Sequence, residues 1–142
     1  MAVEQPIRNR SRVVIADDNK EMRDTVIRLL APEFEVVVAV SDGRALVDAV
    51  DEFKPDIGII DISMPIMNGI QAATEIRRHG SLMKVIFLTV NEDRDFVRAA
   101  FESGASCYVV KRQMASDLPT ALGAALANQR FVSAGCDVPA DV

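Results

Sequence analysis

Apolar residues along this chain alternate between two rhythms. Short unbroken runs occur at Val13 to Ala16, Val36 to Val40, Ile57 to Ile62 with Asp61 inside it, Val85 to Leu88, and Tyr108 to Val110. Runs of this length without polar alternation predict strands covered on both faces, as in a parallel sheet. Between them the spacing changes. Met22, Val26, Leu29 and Leu30 recur at helical intervals, as do Leu46, Ala49, Val50 and Phe53; Ile70, Ala73 and Ile76; Val97, Ala100 and Phe101; and Leu122, Ala125 and Leu126. Each set predicts an amphipathic helix packed by one face.

The punctuation agrees with the rhythm. Pro32 and Pro55 stop the first two helices, Ser41 or Asp42 can cap the second, and Gly80 and Gly104 close the third and fourth. The last helix is expected from about Ser116, with Pro119 inside its first turn, where no intrahelical N–H bond is lost. Five strands alternating with five helices predict an α/β fold, a flavodoxin-like (βα)5 three-layer sandwich with sheet order 2-1-3-4-5. Residues 1–11 read as a lead-in, 12–128 as one domain and 129–142 as a C-terminal tail.

Composition narrows the function classes. The chain has 142 residues, 49% of them hydrophobic and 26% charged, with a formal net charge of -5. That is the profile of one ordinary globular domain, and it offers no basic surface for a phosphate backbone, so no direct nucleic acid binding by this chain is expected. Cys107 and Cys136 have no metal-ligand spacing and read as free thiols in a reducing, cytoplasmic setting. No apolar run reaches the ~20 residues that cross a bilayer, and no membrane association is expected.

Chemistry is concentrated at the strand ends. The first strand ends on Asp17 and Asp18, the third on Asp61, the fourth on Thr89 and the fifth on Lys111. In a sheet of this order those ends share one rim, where α/β folds place their ligands. Three carboxylates there would repel unless a cation sat among them, and an all-oxygen set suits Mg²⁺. A lysine and a hydroxyl opposite can hold phosphoryl oxygens. Bland alternatives exist for each residue taken singly. Asp17 and Asp18 can cap the first helix, Thr89 and Tyr108 can be packing residues, Lys111 a solvated strand end, and His79 a charge complementing a helix end.

Taken together, the Asp17–Asp18 pair, the run DISMPIMNG around Asp61, LTV with Thr89, and YVVK with Tyr108 and Lys111 resemble the receiver domain of bacterial two-component response regulators. The likeness spans roughly residues 11–128 and is greatest to receivers that precede a C-terminal helix-turn-helix effector. It implies that Asp61 is the phosphoacceptor, taking a phosphoryl group from a histidine kinase, and that the domain assists its own phosphorylation and dephosphorylation without being a turnover enzyme. It implies Mg²⁺ (or Mn²⁺) held by Asp18 directly, Asp17 through water, Asp61 and the backbone carbonyl of Ser63. Lys111 would pair with Asp61 and then with phosphate, while Thr89 and Tyr108 would form the switch, Tyr108 following Thr89 inward.

The output implied is transcription control, with homodimers through the face of the fourth helix, fifth strand and fifth helix, or through helices one and five. Two alternatives are a pseudo-receiver acting by protein contact alone and, on a similar fold, a metal-dependent phosphatase. The latter would want a second acid two residues after the nucleophile, where Ser63 stands. Three positions depart from the family pattern: Val90 where Ala or Gly is common, expected to crowd the phosphate; Arg112 where a proline often follows the lysine; and Pro119 in the last helix.

Overall fold

A computed structural model describes residues 10–140 and 142. Five strands alternate with five helices as expected: β1 (Arg12–Ala16), α1 (Lys20–Leu30), β2 (Glu35–Val40), α2 (Gly43–Phe53), β3 (Ile57–Ile60), α3 (Gly69–Arg78), β4 (Lys84–Thr89), α4 (Arg94–Glu102), β5 (Cys107–Val110) and α5 (Met114–Leu126). A sixth short strand, β6 (Phe131–Val132), follows, and the parallel sheet has the order β2-β1-β3-β4-β5-β6. Most of the expected lead-in lies outside the described residues.

Alternate side chains of each strand feed two cores. Val13, Ile15, Ile57, Ile59, Ile86, Leu88 and Val109 pack under α1 and α5, whereas Val14, Ala16, Ile60, Val85, Phe87 and Tyr108 pack under α2, α3 and α4. Burial on both faces explains why these strands carry no polar alternation. Burying each such aliphatic side chain contributes about 1.5–3 kcal/mol. No helix among the described residues is long and apolar enough to cross a membrane.

Local chemistry sets the helix ends. Asn19 Oδ1 accepts from Met22 N at 2.9 Å, and Asp42 Oδ1 from Ala45 N at 2.7 Å. Asn68 and Gln71 form a reciprocal capping box on α3. Gly80 (φ +86°) and Gly104 (φ +104°) take the left-handed turns that end α3 and α4, a conformation glycine adopts without steric cost.

Two expectations are corrected. The C-terminal segment is not a tail in the structure: Phe131 and Val132 pair in parallel with Cys107 and Tyr108, and Ser133 is buried. The last helix begins at Met114, after a 3-10 turn at Lys111–Gln113, so Pro119 sits beyond the first turn. Its missing N–H leaves the Ala115 carbonyl without its helical partner. Both residues lie on the exposed face, where water can serve that carbonyl. Pro119→Ala should therefore stabilise the protein by about 1–3 kcal/mol, read from urea unfolding curves. An unchanged midpoint would mean that α5 gains nothing from the restored bond.

Candidate functional site

The sheet register builds the site. Ala16 pairs with Ile60 and Thr89 with Val110, so Asp17, Asp61 and Lys111 each stand one residue past a paired strand end. Asp61 N donates to Ala16 O at 2.8 Å and Asp17 N to Val40 O at 3.1 Å, which ties both acids into the ladder before the chain turns away. Asp17 (3% exposed) and Asp61 (6%) are buried, and Asp18 lies exposed on the rim. Neither Asp17 nor Asp18 caps α1, since Asn19 does so. Asp17 instead accepts from Asn19 N through Oδ1, and its backbone carbonyl accepts from Arg23.

Lys111 joins the two buried acids. Its Nζ lies 2.8 Å from Asp17 Oδ2 and 3.1 Å from Asp61 Oδ2. Burial pushes the Asp61 carboxyl above its ordinary pKa; Lys111 opposes this and the neighbouring Asp17 adds to it. Burial also works against the Lys111 ammonium, but its bonds to Asp17 and Asp61 prevail and raise its pKa. The lysine thus holds its charge between two acids that would otherwise repel.

Carboxylate oxygens of Asp17, Asp18 and Asp61 lie within 4.8 Å of one another. A donor set made only of hard oxygens, two of them on buried acids, fits a small divalent cation better than a soft metal. Ser63 lies exposed in the loop that follows Asp61 and gives that carboxylate a backbone hydrogen bond.

The hydroxyl side of the site is closed by Asn91. Thr89 is fully buried, and its Oγ1 accepts from both Asn91 N (3.3 Å) and Asn91 Nδ2 (3.2 Å). Tyr108, expected to move inward only after Thr89 turns, is already fully buried, and its hydroxyl donates to Asn91 O at 2.9 Å. That burial raises its pKa, so the phenol stays neutral. Asn91, absent from the expected site, connects the two. Its only sequence signal is a polar amide two residues past the strand-end threonine.

The departures also find places. Val90 is 69% exposed, so its isopropyl group is not packed into the protein. The Lys111–Arg112 peptide is trans, and Arg112 grips Glu92 with two bonds of 3.0 and 2.8 Å, which ties the turn after β5 to the loop after β4. His79 closes α3 and faces Asp51 and Glu75, which hold its pKa up, in keeping with a helix-end charge. A cavity of about 810 Å³ lies at the opposite end of the sheet beside Lys54, Asp56 and Lys84, away from the acids.

The family model for the response regulator receiver domain matches residues 13–123, and the chain belongs to that family. It is 37% identical over 117 residues to the transcriptional regulatory protein DegU of Brevibacillus brevis, covering 81% of this chain and 50% of DegU. The chain thus spans about half the length of that relative. A LuxR-family two-component response regulator from Aurantimonas sp. superposes with a TM-score of 0.84 at 30% identity, covering 89% of this chain and 91% of that one. The isolated REC domain of RcsB from Salmonella enterica serovar Typhimurium, solved with the phosphomimetic BeF3-, gives 0.81 at 27% identity, covering 89% and 95%.

The loop carrying Asp61 returns against the site through Gly69. A Cβ on Gly69 would lie 2.1 Å from the Asp61 carbonyl oxygen, a backbone atom with no room to yield, and Gly69 N donates to Ile62 O at 2.8 Å. Gly69→Ala should destabilise the fold by about 1–3 kcal/mol despite alanine's better helix propensity. Chemical denaturation reads the loss, and equal stability would show that α3 can shift away from Asp61 freely.

Proposed function

We propose that this domain accepts a phosphoryl group on Asp61 from a histidine kinase and passes the change to an output. The observation that carries this reading is the buried Asp17–Lys111–Asp61 bridge at the strand ends, with Asp18 on its rim. A carboxylate oxygen of Asp61 attacks phosphorus, and the bond from phosphorus to the donor's imidazole nitrogen breaks with its electron pair staying on that nitrogen. Lys111 first holds Asp61 in place and then follows the negative charge to the phosphoryl oxygens. The hydroxyl of Thr89 leaves Asn91 to donate to another of them.

Asp18, Asp17, Asp61 and the Ser63 carbonyl would hold Mg²⁺ or Mn²⁺. When bound, such an ion neutralises the phosphoryl oxygens and lowers the barrier to attack by an anion. The family's role in signalling, and Ser63 where a turnover enzyme would place an acid, support a phosphoacceptor rather than a phosphatase. The complete set of acid, hydroxyl and lysine favours phosphorylation over a pseudo-receiver.

We extend the reading to transcriptional output on the likeness to DegU and the LuxR-family regulator. A cytoplasmic setting accords with the free thiols of Cys107 and Cys136. Of the two dimer faces expected, that of α4, β5 and α5 carries the segment after α5. Helices α1 and α5 instead leave an apolar groove of about 310 Å³ lined by Leu29, Phe34, Leu118 and Leu122. That groove is the better candidate for self-association.

Incubation with a small phosphodonor and Mg²⁺ should add the mass of one phosphoryl group. Asp61→Asn should abolish the gain, and Asp18→Ala should weaken metal binding and slow it. A full gain in the Asn variant would remove Asp61 from the role.

A further inference from the structure

Residues 131–137 occupy the face that the family resemblance reserves for partners. Phe131 and Val132 extend the sheet along the free edge of β5, satisfying backbone groups that an edge strand leaves open. Ser133 then acts as a hub. Its N donates to Tyr108 O at 2.9 Å, its Oγ accepts from Val110 N at 3.1 Å, and its hydroxyl donates to Asp117 Oδ2 on α5 at 2.7 Å. Val132 and Cys136 pack on the cluster that contains Tyr108, and Asp137 stands 4.0 Å from Arg94 at the start of α4, while Arg130, just before the segment, stacks 4.3 Å from the Phe101 ring. The segment therefore touches α4, β5 and α5 at once.

The same contacts lead back to Asp61. Ser133 holds Val110, the residue that precedes Lys111, and it holds the backbone of Tyr108, whose hydroxyl is bound to Asn91. Asn91 holds Thr89. The loop between Thr89 and α4 also supplies Glu92 to Arg112 and leads into Arg94, the partner of Asp137. Drawing Thr89 toward a phosphoryl group breaks its bonds to Asn91 and frees that loop, and so removes supports from the segment.

We propose that residues 131–137 are an intramolecular occupant of the α4–β5–α5 face, seated in the unphosphorylated protein and released on phosphorylation. This rests on Asp61 as phosphoacceptor. Release exposes the β5 edge and the apolar surface around Tyr108 and Phe101 to a partner. Linkage requires the converse: whatever unseats the segment must favour the phosphorylated state by the same factor.

Cys136 reports the seating. It is half-buried within the segment, whereas Cys107 is fully buried in β5 and serves as the folding control. Iodoacetamide modification of each thiol in the full chain, resolved by peptide mass, reads the open fraction. Beryllofluoride with Mg²⁺, or the phosphoryl adduct itself, should speed modification of Cys136 about fivefold or more while Cys107 stays protected. Ser133→Ala should speed it without any phosphoryl mimic and should tighten beryllofluoride binding. If that variant exposes Cys107 as well, Asp117→Asn, which keeps the serine, gives the same readout. A verified adduct with Cys136 modified no faster, or an unseated variant with unchanged beryllofluoride affinity, would overturn the proposal. Absence of any adduct would instead remove the phosphoacceptor reading, and the coupling with it.

Discussion

One ammonium group between two buried carboxylates is the constraint on which the rest of the structure depends. Asp17 and Asp61 end neighbouring strands, and Lys111 reaches both from β5 on the far side of β4. Two buried acids this close are tolerable only when a cation offsets their repulsion and burial. The ladder sets their positions, and the lysine makes those positions affordable. Under the proposed function, the side chain that stabilises the resting protein is also the one that would meet incoming phosphoryl oxygens.

Tight backbone contacts and short polar bonds connect that bridge to the surface. Gly69 lets α3 begin against the Asp61 carbonyl, and Gly43 lets α2 begin against the Met67 backbone beneath the same loop. On the other side, Asn91 engages both Thr89 and Tyr108, and Arg112 engages Glu92. Close-packed elements of this kind move between discrete arrangements rather than deforming smoothly. In the proposed coupling, these contacts are the route from Asp61 to the edge of β5.

Much of this was legible because parallel strands buried on both faces write themselves as unbroken apolar runs, and four of the five runs lead to a polar or charged residue on the shared rim. Asp17, Asp61, Thr89 and Lys111 were found that way. The rest lacked such a pattern. β6 contributes only Phe131 and Val132, too short for any periodicity, and Ser133 looks like any loop serine until its three bonds are seen. Pro119 suggested a later start for α5, because sequence does not reveal that its missing bond falls on the exposed face. The inward Tyr108 depends on a backbone carbonyl of Asn91, and no side-chain identity announces it.

The most direct test of the account is a double-mutant cycle on the bridge, measured by chemical denaturation without divalent cations. Lys111→Met alone should cost about 3–5 kcal/mol, because it leaves two buried carboxylates without their cation. Adding Asp61→Asn should recover a substantial part of that loss, since one of the repelling charges is gone. Strict additivity of the two substitutions would contradict the claim that Lys111 holds these acids together.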